Sequence, residues 1–201
     1  MSCQGVRRNP MERRLDGKKI AILVADGFEQ VELTEPKAAL EAAGATTEIV
    51  SPAKNEVQGW NHDEKADAFH VDMPLDRARS DDYDALLLPG GVRNPDRLRQ
   101  LTRALEFIDG FFVTGKPVAA ICHAPWTLIE AGVVDGRKIT SWPSLKTDLR
   151  NAGANWVDRE VVVDKGLVSS RKPADIPAFN RKMVDAFAEG RRIQQRFRLV
   201  K

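Results

Sequence analysis

Short apolar runs, each closed by a turn and followed by an amphipathic stretch, constrain this chain more than any other feature. Lys19 to Ala25 (K-I-A-I-L-V-A), Tyr83 to Leu88 (Y-D-A-L-L-L) and Pro117 to Ile121 (P-V-A-A-I) are too short for helices. They also show little of the polar alternation of a half-exposed strand. Strands of this kind are covered on both faces, the condition of a parallel sheet between two layers of helices. Between them the spacing predicts a helix from about Val31 to Ala43 closed by Gly44, and a strand over Thr46 to Ser51. A hairpin is predicted near Val57 and Phe69 to Val71, then one broken or two short helices over Asn94 to Val113. After Cys122 a helix runs to about Ala131. A short strand (Lys138 to Trp142), a helix (Pro143 to Asn151), a hairpin through Asp164-Lys165-Gly166 and a last helix from Pro173 to about Glu189 complete the pattern. The fold class is therefore α/β, with a mostly parallel central sheet and helices on both faces.

Composition bounds the remaining possibilities. The 201 residues are one domain's worth, and a net charge of +2 is too small to imply nucleic acid or a membrane surface. The basic excess sits at the ends, so we read 1–17 as a flexible basic extension, 18–190 as the domain and 191–201 as a basic tail. Met11 precedes the domain, and residues 1–10 read as an upstream extension. No segment reaches the roughly 20 apolar residues of a membrane span, and the charged start lacks the apolar core of a secretory signal. The expected location is the cytoplasm. Cys3 falls in the extension, which leaves Cys122 as the internal cysteine and excludes a disulfide framework.

In open parallel sheets, ligands bind beyond the carboxyl ends of the strands. Three loops lie at such ends and are expected to converge: Asp26–Gln30, Pro89–Gly91 and Cys122–Pro125. In A-A-I-C-H-A-P a strand runs into a helix with no loop between, which puts Cys122 on a strained corner like a nucleophile elbow. Free amides of the helix start would favour the thiolate and lower the thiol pKa. His123 would stabilise that thiolate as a cation or shuttle a proton as neutral imidazole. Glu29, in the first loop, either donates a hydrogen bond to sulfur as a protonated acid or complements the helix dipole. Gly90 and Gly91, with the amide of His123, are candidates for an oxyanion hole. His62 and His70 read as surface or hairpin residues, and Trp60 and Trp142 as candidates for an interface. Arg171, just before Pro173, either lines the pocket to bind a carboxylate or pairs on the surface.

Several motifs together resemble the ThiJ/PfpI superfamily, specifically its PfpI-like intracellular protease and general stress protein branch. They are D-G-F-E-Q-V-E-L carrying Glu29, L-L-L-P-G-G carrying Gly91, A-I-C-H-A-P carrying Cys122 and His123, and the downstream G-R-K-I-T-S and E-V-V-V-D-K-G-L-V-S-S-R. The match runs from about Lys18 to Glu189. It implies a flavodoxin-like three-layer sandwich that works as a homodimer or higher homo-oligomer, with the active site near the interface. It also implies a carboxylate from the neighbouring subunit, at the position of Asp96, completing a Cys-His-acid triad. This chain has Asp there, in a loop longer by one residue, and Ala124 and Trp126 where the common elbow has Gly and a polar residue. Trp126 either narrows the pocket or packs in the core.

Three functions follow from the resemblance. One is a glyoxalase- or deglycase-like enzyme in which Cys122 attacks a small reactive carbonyl. Another is a cysteine peptidase acting on a peptide through Cys122, His123 and Asp96. The third is an oxidative-stress protein whose cysteine is oxidised as sensor or scavenger. Glutamine amidotransferase and papain-like chemistry need a histidine downstream of the elbow, and none follows His123. The first strand lacks a G-x-G-x-x-G turn, so no dinucleotide is expected. Cys122 and His123 are adjacent with no third ligand at suitable spacing, so no metal is expected either. We expect no cofactor, no membrane partner and no specific nucleic acid.

Overall fold

A computed structural model describes residues 14–190. The elements are β1 (Lys19–Leu23), β2 (Phe28–Glu29), α1 (Gln30–Ala42), β3 (Thr46–Ser51), β4 (Glu56–Asn61), β5 (Glu64–His70), β6 (Met73–Pro74), β7 (Ala85–Leu88), α2 (Arg93–Leu98), α3 (Thr102–Val113), β8 (Val118–Ile121), α4 (Pro125–Glu130), β9 (Lys138–Ile139), α5 (Lys146–Asn151), β10 (Asn155–Trp156), β11 (Val161–Asp164), β12 (Leu167–Ser170) and α6 (Ile176–Glu189). Seven strands form the central sheet in the order β11-β12-β8-β7-β1-β3-β6. Every pair is parallel except β11 with β12.

The apolar runs produce this architecture because each strand supplies both cores. Ala21, Leu23, Leu86, Leu88, Val118 and Ala120 pack in one layer with Phe107, Phe111 and Leu128 of α3 and α4. The alternate residues Ile20, Ile22, Ala85, Leu87, Ala119 and Ile121 pack in the other with Leu33, Leu40, Phe179, Met183 and Phe187 of α1 and α6. A period of two, buried on both sides, is what a sheet between helical layers demands. β1 sits between β7 and β3, so the chain leaves it first toward one edge and later toward the other. Its carboxyl end is therefore a topological switch point, where a crevice opens.

Some boundaries differ from the sequence reading. Leu15 is fully buried in the second core, and its N–H donates to Ala43 O, so the packed chain begins before residue 18. Residues 1–13, including Cys3, and the tail 191–201 lie outside the described residues. The strand expected over Lys138 to Trp142 stops at Ile139, because its partner β10 offers only two residues. The helix expected from Pro143 opens as a 3-10 turn (Pro143–Leu145) before α5. No helix among the described residues is long and apolar enough to cross a membrane.

Candidate active site

Cys122 directly follows β8 with φ of 63°, the left-handed region that a non-glycine residue enters only when its surroundings insist. Two strand-like bonds insist here. Cys122 N–H donates to Ser170 O at the end of β12 (3.1 Å), and Trp142 N–H donates to Cys122 O (2.9 Å). The backbone is pinned on both sides, and the side chain is turned from the sheet toward the crevice. That crevice holds a cavity of about 290 Å³ lined by residues of all three strand-end loops, among them Gly27, Glu29, Gly91, Cys122 and His123.

The carboxyl that reaches Cys122 belongs to Glu32. Phe28–Glu29 is extended and pairs with β4, Glu29 opposite Trp60. Glu29 Oε2 therefore accepts from His62 N–H (3.1 Å), at the side of the cavity. Helix α1 starts one residue later, and the side chain of Glu32 in its first turn falls on the buried face with Leu33, Pro36 and Leu40. Helical side chains lean toward the N-terminus, which aims Glu32 back at the sheet end. Its Oε2 accepts from Gly90 N–H (2.9 Å), and its carboxyl interacts with the Cys122 thiol. Pro36 has no N–H for the Glu32 carbonyl, which relaxes the helix at this turn.

Burial dominates the electrostatics. Glu32 is fully buried, and loss of solvent pushes its pKa up to about 8 against the pull of the Gly90 and Gly91 amides and the thiol. It therefore holds a proton at neutral pH. Burial also pushes the Cys122 thiol up, and an ionised Glu32 pushes it further, while the amides of Gly91 and His123 pull it down. An acidic thiol produced by helix amides alone is thus not what this site contains. A neutral Glu32 does not repel sulfur and can donate to it, while the ionised form can accept the thiol proton. His123 is neutral: burial drops its pKa to about 4. Its Nδ1 lies 3.2 Å from Cys122 Sγ, and its ring sits against Trp142 (5.7 Å, stacked) and Trp126 (5.4 Å).

The glycine turn is built by packing. A Cβ on Gly90 would lie 2.6 Å from Cys122 Cβ, and one on Gly91 would lie 2.7 Å from Glu29 N and Gly27 O. Only glycine allows the turn to approach Cys122 and the first loop this closely. Gly90 N–H is taken by Glu32, so the amides directed at the sulfur are those of Gly91 and His123. Buried Asn94 locks the turn, accepting from Ala25 N–H (2.7 Å) and donating to Pro89 O (2.8 Å) and Gly90 O (3.1 Å).

Three candidates stand elsewhere. Asp96 is exposed on α2 and is absent from the cavity wall of its own chain. Trp126 packs behind His123 and donates from Nε1 to Asp148 (2.9 Å), so the tryptophans on the wall are Trp60 and Trp142. Arg171 is clamped between Asp175 (2.8 Å) and Asp158 (2.6 Å), which use its donors away from the cavity. The sequence reading missed Glu32, Trp60, Trp142 and Arg93 as wall residues. The signal for Glu32 was an acid on the stripe Glu32, Pro36, Leu40, where an apolar residue belongs. Nothing in the spacing marked Arg93.

A mostly parallel sandwich with a strained cysteine at the carboxyl end of a central strand, facing the crevice at the switch point of its sheet, defines a class of elbow-cysteine α/β proteins. Within it, this chain belongs to the DJ-1/PfpI family, whose family model matches residues 18–186. It is 45% identical over 168 residues to General stress protein 18 of Bacillus subtilis, covering 83% of this chain and 95% of that protein. It is also 45% identical over 166 residues to Deglycase PfpI of Pyrococcus furiosus, covering 83% and 97%. Among solved structures, Drosophila melanogaster DJ-1beta superposes with a TM-score of 0.77 at 28% identity, covering 85% of this chain and 90% of that one.

Proposed function

We propose that this protein is a cysteine-dependent enzyme that detoxifies small reactive carbonyl compounds, with Cys122 as nucleophile and Glu32 as proton carrier. The carrying observation is a fully buried carboxyl with a pKa of about 8 in contact with the thiol. Such a group is available near neutral pH both as base and as acid, the condition for moving a proton twice. The names of the relatives, a deglycase and a stress protein, support the same reading. A cavity of about 290 Å³ suits a compound of a few heavy atoms better than a peptide strand.

For a 2-oxoaldehyde the steps balance as follows. The ionised fraction of Glu32 takes the thiol proton as sulfur adds to the aldehyde carbon. The carbonyl electron pair moves to oxygen, beside the Gly91 and His123 amides. Glu32 gives the thiol proton to that oxygen and, a carboxylate again, carries the proton of the reacting carbon to the neighbouring carbon by way of an enediol. The hydroxyl proton passes to the neighbouring oxygen, which leaves a thioester on Cys122. Water hydrolyses the thioester, releasing a 2-hydroxy acid and the thiol, so that methylglyoxal plus water gives lactic acid. Neutral His123 hydrogen-bonds to sulfur during the cycle. Action in the cytoplasm as a homo-oligomer completes the reading.

The test compares wild type with Cys122→Ser and Glu32→Gln in methylglyoxal turnover, cleavage of an unfolded protein and peroxide-driven mass gain. Turnover in the wild type, its abolition in Cys122→Ser and a loss of about 10²–10⁴-fold in Glu32→Gln are expected. Methylglyoxal turnover that survives Cys122→Ser overturns the proposal. Protein cleavage instead would require Asp96 from a second copy, and oxidation at Cys122 with neither activity would make the cysteine a sensor or scavenger.

A further inference from the structure

Arg93 lines the same cavity as Cys122, two residues beyond the Gly91 amide that reaches the sulfur. Its guanidinium lies over the Trp60 ring, 4.0 Å from the centroid. Trp60 is itself fixed by the pairing of β4 with β2. The ring holds the guanidinium by a cation–π contact, and among the described residues no protein acceptor takes its donors. Among the described residues Arg93 has no carboxylate partner. The wall carboxylates are engaged differently: Glu29 accepts from His62 N–H, Glu32 accepts from Gly90 N–H and holds a proton, and Asp63 stands exposed at the β4–β5 turn. The contrast with Arg171, saturated by two aspartates, is direct.

From this unspent, oriented cation beside the nucleophile we infer that Arg93 and Trp60 form a carboxylate subsite, so that the preferred substrates are 2-oxoaldehydes carrying a carboxylate at the end remote from the aldehyde. Arg93 is then a specificity-determining residue. The substrate class rests on the carbonyl chemistry proposed above; the subsite itself does not. The guanidinium edge matches a carboxylate in a two-bond fork, which a neutral oxoaldehyde cannot supply.

Methylglyoxal and 4,5-dioxopentanoate share the reacting group and differ in the carboxylate arm. The test measures kcat/KM for both with the full chain as wild type, Arg93→Met and Arg93→Lys. In the wild type the ratio is expected to favour 4,5-dioxopentanoate by about tenfold or more. Arg93→Met is expected to bring the ratio near one, chiefly through KM, and Arg93→Lys to retain part of it. A wild-type ratio near one, or a preference that survives Arg93→Met, overturns the inference. If neither compound is turned over, calorimetric titration with 2-hydroxyglutarate separates the two ideas. Binding by wild type that weakens about tenfold in Arg93→Met keeps the subsite and sinks the carbonyl reading. No binding by wild type overturns the subsite.

Discussion

Glu32 and His123 are two buried groups that titrate in opposite senses, and their effects on stability can be separated by pH. Glu32 has its pKa raised from 4.5 to about 8, so its burial is harmless below pH 4.5 and costs stability as pH rises toward 8. His123 has its pKa lowered from 6.5 to about 4, so its burial is harmless above pH 6.5 and costs stability as pH falls toward 4. Each slope is about 1.4 kcal/mol per pH unit. Between pH 4.5 and 6.5 the two nearly cancel, and from 6.5 to 8 only Glu32 acts. Wild type is expected to lose stability over that upper interval, whereas Glu32→Gln, which keeps an acceptor for Gly90 and a donor for sulfur, is expected not to. Urea unfolding at pH 6.5 and pH 8 measures this. Equal pH dependence in both proteins would show that Glu32 is already ionised at pH 6.5.

At the level of elements, the site is an assembly of strand ends, and Asn94 fastens two of them. Asn94→Ala leaves the Ala25 N–H and the Pro89 carbonyl without their side-chain partner in a buried place. A loss of about 2–4 kcal/mol is expected from urea midpoints, together with slower turnover because the Gly91 amide is no longer held at the sulfur. The elements themselves were legible in the sequence because parallel strands buried on both faces leave unbroken apolar runs. Thr46–Ser51 begins and ends where the pattern says, and the elbow at Cys122 follows from a strand abutting a helix. The acid beside the thiol was less legible. Chain position pointed to Glu29, but two residues of pairing with β4 turn that side chain aside, and a β2 strand of two residues has no sequence pattern of its own. Trp142 was equally hidden, since its place on the wall comes from a bond to Cys122 O rather than from any local periodicity.

For the molecule as a whole, the two cores share one sheet, so neither helical layer is an independent unit. Phe179 is fully buried in one core and Phe107 nearly so in the other. Truncating either to Ala is expected to cost about 3–5 kcal/mol. Fluorescence and Cys122 alkylation should follow one unfolding transition. Separate midpoints for the two signals would show that the layers come apart independently. Order along the chain matters as well. The left-handed turn at Cys122 is held by Ser170 and by Trp142, both of which follow it in the sequence. While the protein is being made, a chain ending short of residue 170 has no partner for the Cys122 amide, and the thiol there is an ordinary one. The ribosome therefore releases nearly the entire domain before the strained corner at Cys122 can set.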